Sequence, residues 1–298
     1  MIYIIYPDVD VWNFVLKGVE DNYPIIKRPL NRYCQKWQLA FRKTFPNLRS
    51  SKRFLFNKQM RKELNELNEG DSLVLCDYRD LCVIRTLSSS LQPKVKKFYW
   101  IWNPIKTKNK EIFIKTFSVL KKEGFIPSTF DPQDAQHFDL QWHSQFFRMN
   151  IDSTHPTKEI IDFYFIGFPK DRENDLHLLE HQLSDFKTLF KIIHNSREYI
   201  SYEDNIKLAT QSRCLVEITQ HQQTGMSLRP LEALALHKKL ISNNKDLVNM
   251  DFYHPHNIFI LGLDSIKDIH CFMEKPLEPI AEDIIHRYDV STWLQNFI

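Results

Sequence analysis

Glu232 is the residue around which a chemistry can be drawn. It lies in Gln222-Gln223-Thr224-Gly225-Met226-Ser227-Leu228-Arg229-Pro230-Leu231-Glu232-Ala233-Leu234-Ala235. Thr224 and Ser227 are candidate N-caps, and Gly225 permits φ > 0 or a close backbone approach. Free N–H groups at such a helix start favour an anion, most simply a phosphate, with Gln223 and Arg229 beside it. Glu232 can face the same ligand, and a carboxylate there suits a pair of hydroxyls such as those of a ribose. The alternative is an ordinary strand-to-helix turn with a solvent-facing Glu.

A second stretch has the same logic. Asp162-Phe163-Tyr164-Phe165-Ile166-Gly167 is followed by Phe168-Pro169-Lys170-Asp171-Arg172. A strand, Gly167, and then the cations Lys170 and Arg172 before a helix make a second phosphate-facing turn. Two exposed cations at a helix start are the alternative, and a less comfortable one, because the helix dipole repels them unless an anion is near. In the first half of the chain, Asp8, Asp77, Asn103 and Asp131 each follow an apolar run. Asp8 and Asp131, with Asp77 behind them, are candidates for a general base that takes a hydroxyl proton. Asp8-Val9-Asp10 also mimics a metal-binding DxD triplet, though a three-residue match is frequent.

The elements that must position these residues are legible as apolar runs and helical spacings. Around Glu232 the order is strand (Cys214-Leu215-Val216-Glu217-Ile218), Gly-containing turn, helix, strand (Lys239-Leu240-Ile241-Ser242) closed by Asn243-Asn244: one βαβ unit. Strands are expected at Ile2–Tyr6, Ser72–Asp77, Lys97–Trp102, Ile126–Phe130, Asp162–Gly167 and Asn257–Leu261. Helices are expected at 31–47, 57–69, 79–90, 108–123, 175–191 and 203–212, with a basic break at Ser50-Ser51-Lys52-Arg53. The polar segment 135–160, with His137, His143, His155 and Pro156, reads as a linker. Its His spacing is irregular and no Cys is near, which is a poor zinc pattern. Alternating strands and helices argue a parallel sheet covered on both faces, and 298 residues suit two domains, 1–150 and 151–298.

Composition narrows the classes. The hydrophobic fraction of 43% is that of a globular chain, and six glycines leave no GxGxxG fingerprint. Met1–Tyr6 is too short for a signal peptide core, and five cysteines without a CxxC pair suit a reducing compartment, so a cytoplasmic protein is expected. No apolar run approaches 18 residues. The net charge of +3 hides an asymmetry: residues 1–150 carry 25 Lys and Arg against 15 Asp and Glu, and the remainder 15 against 22. From Asn22 through Lys62 there are twelve basic residues and no acidic one, mixed with Trp37, Phe41, Phe45, Phe54 and Phe56. This stretch suits an anionic lipid surface or a phosphorylated acceptor, a single-stranded nucleic acid, or a helix with core aromatics and solvated cations.

The segment QTGMSLRPLEALALHKKLISNN resembles the nucleotide-binding segment of GT-B glycosyltransferases, and more narrowly that of short bacterial enzymes of lipopolysaccharide and capsule synthesis. The resemblance is closest from about Asp162 onward. It implies two Rossmann-like α/β domains facing a cleft, an N-terminal domain for a glycan or lipid-linked acceptor, and a C-terminal domain for a nucleotide-sugar donor. No metal would be needed, and the enzyme would work in the cytoplasm, at the inner face of the membrane. Glu232 matches the ribose-binding Glu, Lys170 and Arg172 match the diphosphate loop, and Tyr199 or Ile200 would line the base pocket, unless Tyr199 is core. A terminal helix would cross back onto the first domain, with Trp293 suited to that packing. The commoner pattern has a second Glu eight residues upstream, where this chain has Thr224. The runner-up classes are a metal-dependent GT-A transferase using Asp8 and Asp10, and a non-enzymatic nucleic-acid or partner-binding protein.

Overall fold

Ile2-Tyr3-Ile4-Ile5-Tyr6 buries every side chain, and so does Leu73-Val74-Leu75-Cys76. Runs without alternation form strands covered on both faces, which is the signature of a parallel sheet. The computed structural model describes residues 1–19, 24–30, 44, 56–105, 110–151, 158–221 and 223–298. Apart from Thr44, the expected helix at 31–47 lies outside the described residues. So do the break at 50–53, Trp37, Phe41, Phe45, Phe54, His155, Pro156 and Gln222.

The chain divides into two compact units, Met1–His143 with Leu294–Ile298, and Ser144–Trp293. In unit 1, β1 (Ile2–Pro7), α1 (Asp10–Val15), β2 (Ile25–Leu30), α2 (Lys58–Glu66), β3 (Ser72–Cys76), α3 (Leu81–Ser88), β4 (Lys96–Ile101), α4 (Lys110–Lys122), β5 (Ile126–Thr129), α5 (Pro132–Phe138) and β6 (Gln141–Trp142) follow in order. The sheet order is β2-β1-β3-β4-β5-β6 and every pairing is parallel. In unit 2, β7 (Ile161–Gly167), α6 (Glu173–Gln182), β8 (Thr188–Ile192), α7 (Tyr202–Thr210), β9 (Ser212–Glu217), α8 (Leu228–Ala235), β10 (Lys239–Ser242) and β11 (Ile258–Ile260) build the sheet β11-β10-β9-β7-β8, again all parallel. Short helices α9 (Ile269–Glu274), α10 (Glu282–Arg287) and α11 (Val290–Leu294) follow. The α/β class with two parallel sheets is as expected.

Three expectations are corrected. The helix expected at 175–191 stops at Gln182, and Thr188–Ile192 is the edge strand β8, paired with Phe163–Gly167. Leu176, Leu179, Leu183, Phe186 and Phe190 keep helical spacing, which misleads. All five reach the same core cluster, the last two from beyond the helix, and pairing along the edge of β7 outweighs the local period. The expected linker at 135–160 begins inside unit 1. Asp131 caps α5, Pro132 opens it, Asp139 closes it in the left-handed region at φ 53°, and Gln141-Trp142 pairs with Ser128-Thr129. An exposed edge strand has no buried run to announce it. Trp293 stays in unit 2, its ring 3.8 Å from that of Phe146, while Phe297 packs on Phe98 and His143 in unit 1.

The basic stretch is less free than its composition suggests. Of its twelve cations, five are described. Lys27 Nζ donates to the Leu16 carbonyl at 2.6 Å, Arg61 to the Phe56 carbonyl at 3.1 Å, Lys62 pairs with Glu66 at 3.7 Å, and Arg28 is held by Glu63. Only Lys58 remains of those five without a partner named here. Among the described residues no helix is long and apolar enough to cross a membrane.

Asp134, in the first turn of α5, accepts the Ile105 N–H at 2.8 Å. Burial, then the Asp131 charge, push its carboxyl up to about 6, against the pull of the Ile105 N–H. Its folded value therefore stands above its usual one. The stability linked to the protonated form is complete below about pH 4 and is lost as pH rises through 6. Asp134→Asn keeps an acceptor for Ile105 without the charge. At pH 7 it should be more stable than wild type by about 1 kcal/mol, once solvent screening at a half-buried side chain and the favourable first-turn position are allowed for. Urea unfolding at pH 7 and pH 3.5 measures it, with the gain gone at the lower pH.

Candidate functional site

Each sheet has its first strand between its second and third, so successive connections leave in opposite directions there. Open α/β sheets take ligands outside the carboxyl ends of the strands at such a point. In unit 2 that point lies between β7 and β9.

β7 ends at Gly167. A Cβ there would stand 3.3 Å from Arg172 Nη2 and 3.3 Å from the Phe165 ring, so glycine leaves the room in which the Arg172 guanidinium lies, 5.4 Å from the Phe165 centroid. Arg172 Nη1 donates to the Ile218 carbonyl beyond β9, and Nη2 reaches the Phe168 carbonyl at 3.5 Å. Lys170, between them in sequence, is exposed and holds the left-handed region at φ 52°.

β9 ends at Glu217, 3% exposed. Its two oxygens accept the hydroxyls of Ser227 and Ser242, each at 2.5 Å. Burial pushes this carboxyl up, while the two serine bonds, Arg172 and Arg229 pull it down. Burial likewise lowers Arg172, against the attraction of Glu217. One residue farther, Ile218 and then Thr219 follow; Thr219 N and Oγ1 both donate to Asn243 Oδ1, at 2.8 and 3.1 Å, lacing the ends of β9 and β10.

α8 starts at the N-cap Ser227, whose Oγ accepts the Arg229 N–H at 3.1 Å. Thr224, the other candidate cap, precedes the helix without capping it. Arg229 and Glu232, three apart, share one face of α8, and Arg229 Nη1 stands 2.5 Å from Glu232 Oε2. Arg229 Nη2 reaches the Ile166 carbonyl at 3.3 Å and its guanidinium lies 5.7 Å from the Tyr164 ring. Glu232 is 3% exposed, and Tyr202 Oη donates to its Oε1. Burial and then the Glu232 charge hold the Tyr202 phenol well above its usual range. Burial also raises Tyr164, whose Oη donates to Asn205 Oδ1 at 3.1 Å. Two guanidinium groups and two carboxylates are thus gathered where β7, β9 and α8 meet.

Hydrogen-bonding capacity is left over there. Arg229 Nη1 and Glu232 Oε2 answer each other as an ion pair, while Arg172 Nε and Gln220 Oε1 are buried without a bonding partner. Buried polar atoms are rarely left so. Two of them, one donor and one acceptor, lie at this one set of strand ends.

The expected donor residues therefore divide. Gly167, Arg172, Ser227, Arg229 and Glu232 are brought together. Gln223 Nε2 instead donates to the Gly225 carbonyl at 2.9 Å, stiffening the turn, and Gly225 is buried. Tyr199 is 50% exposed, which removes the core alternative for it. The solvent-facing alternative for Glu232 is overturned by its burial. Of the base candidates in unit 1, Asp8 is exposed beyond β1 and accepts from Asn13 Nδ2 at 3.2 Å. Asp77 is buried at φ 48° and accepts from Asn103 Nδ2 at 3.1 Å. Asp131 is 2% exposed, and its Oδ1 accepts the N–H groups of Gln133 and Asp134 at 3.0 and 3.1 Å, so it serves α5 as its cap. Asp10 stands in the first turn of α1. Of the histidines, His137 contacts Lys110 and His143 packs among aromatic rings.

Glu217 and Tyr202 belong to the site and were not foreseen. A carboxylate inside an otherwise apolar run was the available signal for Glu217, since a buried charge must be paired. Tyr202 had a weaker one: Ser201 caps α7, which puts Tyr202 in the first turn. No protein-family model matches the chain, and no curated protein matches it in sequence.

Proposed function

We propose that the protein is a glycosyltransferase that moves a sugar from a nucleotide-sugar donor to a glycan or lipid-linked acceptor, with the donor bound at the carboxyl end of the unit 2 sheet. The observation that carries this reading is the gathering of Arg172, Arg229 and the buried Glu232 at the turning point of that sheet, with Arg172 Nε and Gln220 Oε1 buried there without a bonding partner. A ligand that meets Arg172 Nε and Arg229 Nη1 must accept hydrogen bonds, as a diphosphate does. One that meets Glu232 Oε2 and Gln220 Oε1 must donate them, as ribose hydroxyls do. A nucleoside diphosphate carries both sets. In the reaction, the charge that develops on the leaving diphosphate would be stabilised by the two guanidinium groups in a largely buried setting, with Lys170 at its rim. Binding would draw Arg229 partly away from Glu232, so the ion pair would exchange one partner for another instead of being stripped bare. An inverting reaction also needs a carboxylate to take the acceptor proton. Asp8 is the one of the three Asp candidates whose carboxylate is exposed.

A thermal-shift panel of UDP-, dTDP-, GDP-, ADP- and CMP-sugars tests the reading. A ligand at a hundred times its Kd adds about 2.7 kcal/mol, and EDTA should leave the shift unchanged. If no nucleotide sugar shifts the melt, while a single-stranded oligonucleotide binds with a steep salt dependence, the nucleic-acid reading replaces this one.

A further inference from the structure

Glu217 has no part in the donor contacts just described, yet it is as deeply buried as Glu232, each 3% exposed. Its two oxygens meet two serines from different elements. Ser227 Oγ donates to Oε1 and accepts the N–H of Arg229 at 3.1 Å. Ser242 Oγ donates to Oε2 and accepts the N–H of Asn244 at 3.0 Å. A serine hydroxyl has one proton and two lone pairs. Where its proton goes decides which way the lone pairs face. The same arrangement occurs twice on one carboxylate, and Ser242 and Asn244 are buried, so water is a poor substitute partner.

We propose that Glu217 is a positioning residue. By taking both hydroxyl protons it aims one serine at the start of α8 and the other at the turn after β10, and so fixes the two segments to each other. On the Ser227 side it sets the first turn of α8, and with it the register of Arg229 and Glu232. Pro230 brings no N–H to that turn, which makes the Ser227 bond to Arg229 N–H a larger share of the cap. On the Ser242 side it sets Asn244, whose own side chain caps the following turn through Asp246 N at 3.1 Å. The charged groups that face Glu217 are Arg172 from beyond β7 and Arg229 from α8. Both favour an acceptor-only carboxylate, as does the start of α8. The functional consequence rests on the donor reading of the site. The geometric role does not.

The test is site-resolved amide exchange on the full chain. Glu217→Gln keeps the shape but has one acceptor oxygen, so it can take only one serine proton. At least one of the two amides, Arg229 or Asn244, should exchange tenfold or more faster than in wild type, as a local step within otherwise protected neighbours. Glu217→Ala, where it folds, should release both. If neither amide moves in Glu217→Gln, or if exchange rises evenly along α8 and β10 without a step at these positions, the inference is overturned. Calorimetry with UDP, GDP, ADP and CDP runs beside it. Wild-type protein that binds none of them would remove the donor reading alone, because the exchange comparison needs no ligand. Where wild type binds one, a Glu217→Gln protein with a freed Arg229 amide should bind it about tenfold more weakly.

Discussion

Glu232→Ala is expected to lower the stability of unit 2 by about 3–5 kcal/mol, the cost of leaving the other half of a buried ion pair unmatched. Arg229, 11% exposed at its side chain, would lose its carboxylate, and the Tyr202 hydroxyl would lose its acceptor. For a unit of this size that is roughly a 10 °C fall in Tm. A solvent-facing helix Glu would give almost nothing, since Ala is the better helix former. Stability alone therefore cannot separate a ribose ligand from a structural carboxylate here, and two milder variants do so. Tyr202→Phe removes the donor to Oε1 while Glu232 keeps its charge, so nucleotide affinity should hold or rise even as Tm falls by a few degrees. Glu232→Gln should cost about ten- to a hundred-fold in affinity, the worth of a charged hydrogen bond to hydroxyls. If calorimetry finds the same affinity in Glu232→Gln as in wild type, the ribose role is gone and the network is only a brace.

The second large effect is expected in unit 1. Glu63 accepts Arg28 Nε at 2.8 Å, Arg28 Nη2, Tyr3 Oη at 2.8 Å and Gln59 Nε2 at 3.0 Å. Tyr3 is wholly buried. Glu63→Ala removes one acceptor from all of them and should cost about 3 kcal/mol, at the low end for a buried pair because Arg28 keeps some access to water. The bonds from Arg28, ahead of those from Tyr3 and Gln59, hold the Glu63 carboxyl below its usual value against the cost of burial. Its contribution is thus present above about pH 4.5 and is lost as pH falls through the depressed value. Wild type should lose its advantage over Glu63→Ala as urea unfolding is repeated from pH 7 down to pH 3. A constant gap across that range would show that Glu63 acts by packing and not by charge.

Glu63 also shows how a sequence count misleads. It is the first acidic residue after the acid-free stretch, and it neutralises Arg28, thirty-five residues earlier, across β2 and α2. Composition sees twelve cations. Pairing in space depends on which strand lies beside which helix, and linear order carries no trace of that.

What the amino-acid order determined was the alternation of elements. Buried parallel strands must be apolar on both faces, so Ile2–Tyr6, Ser72–Cys76 and Cys214–Val216 stand out as continuous runs. A helix start was legible where a capping side chain does local work, as at Ser227. The group of residues from Gly167 to Glu232 could be marked for the same reason, since strand ends and helix starts are local features. Only the tertiary structure decided what those residues face. The strand order β11-β10-β9-β7-β8 sets the ends of β7 and β9 side by side. That adjacency turns Arg172 inward onto the Ile218 carbonyl, buries Glu232 against Arg229 and Tyr202, and makes Glu217 the common partner of Ser227 and Ser242. A side chain's charge is written in its own position, but its desolvation and its partners come from elements distant in sequence, as Ile218 is from Arg172, and these govern whether it meets a ligand, caps a helix or braces the sheet.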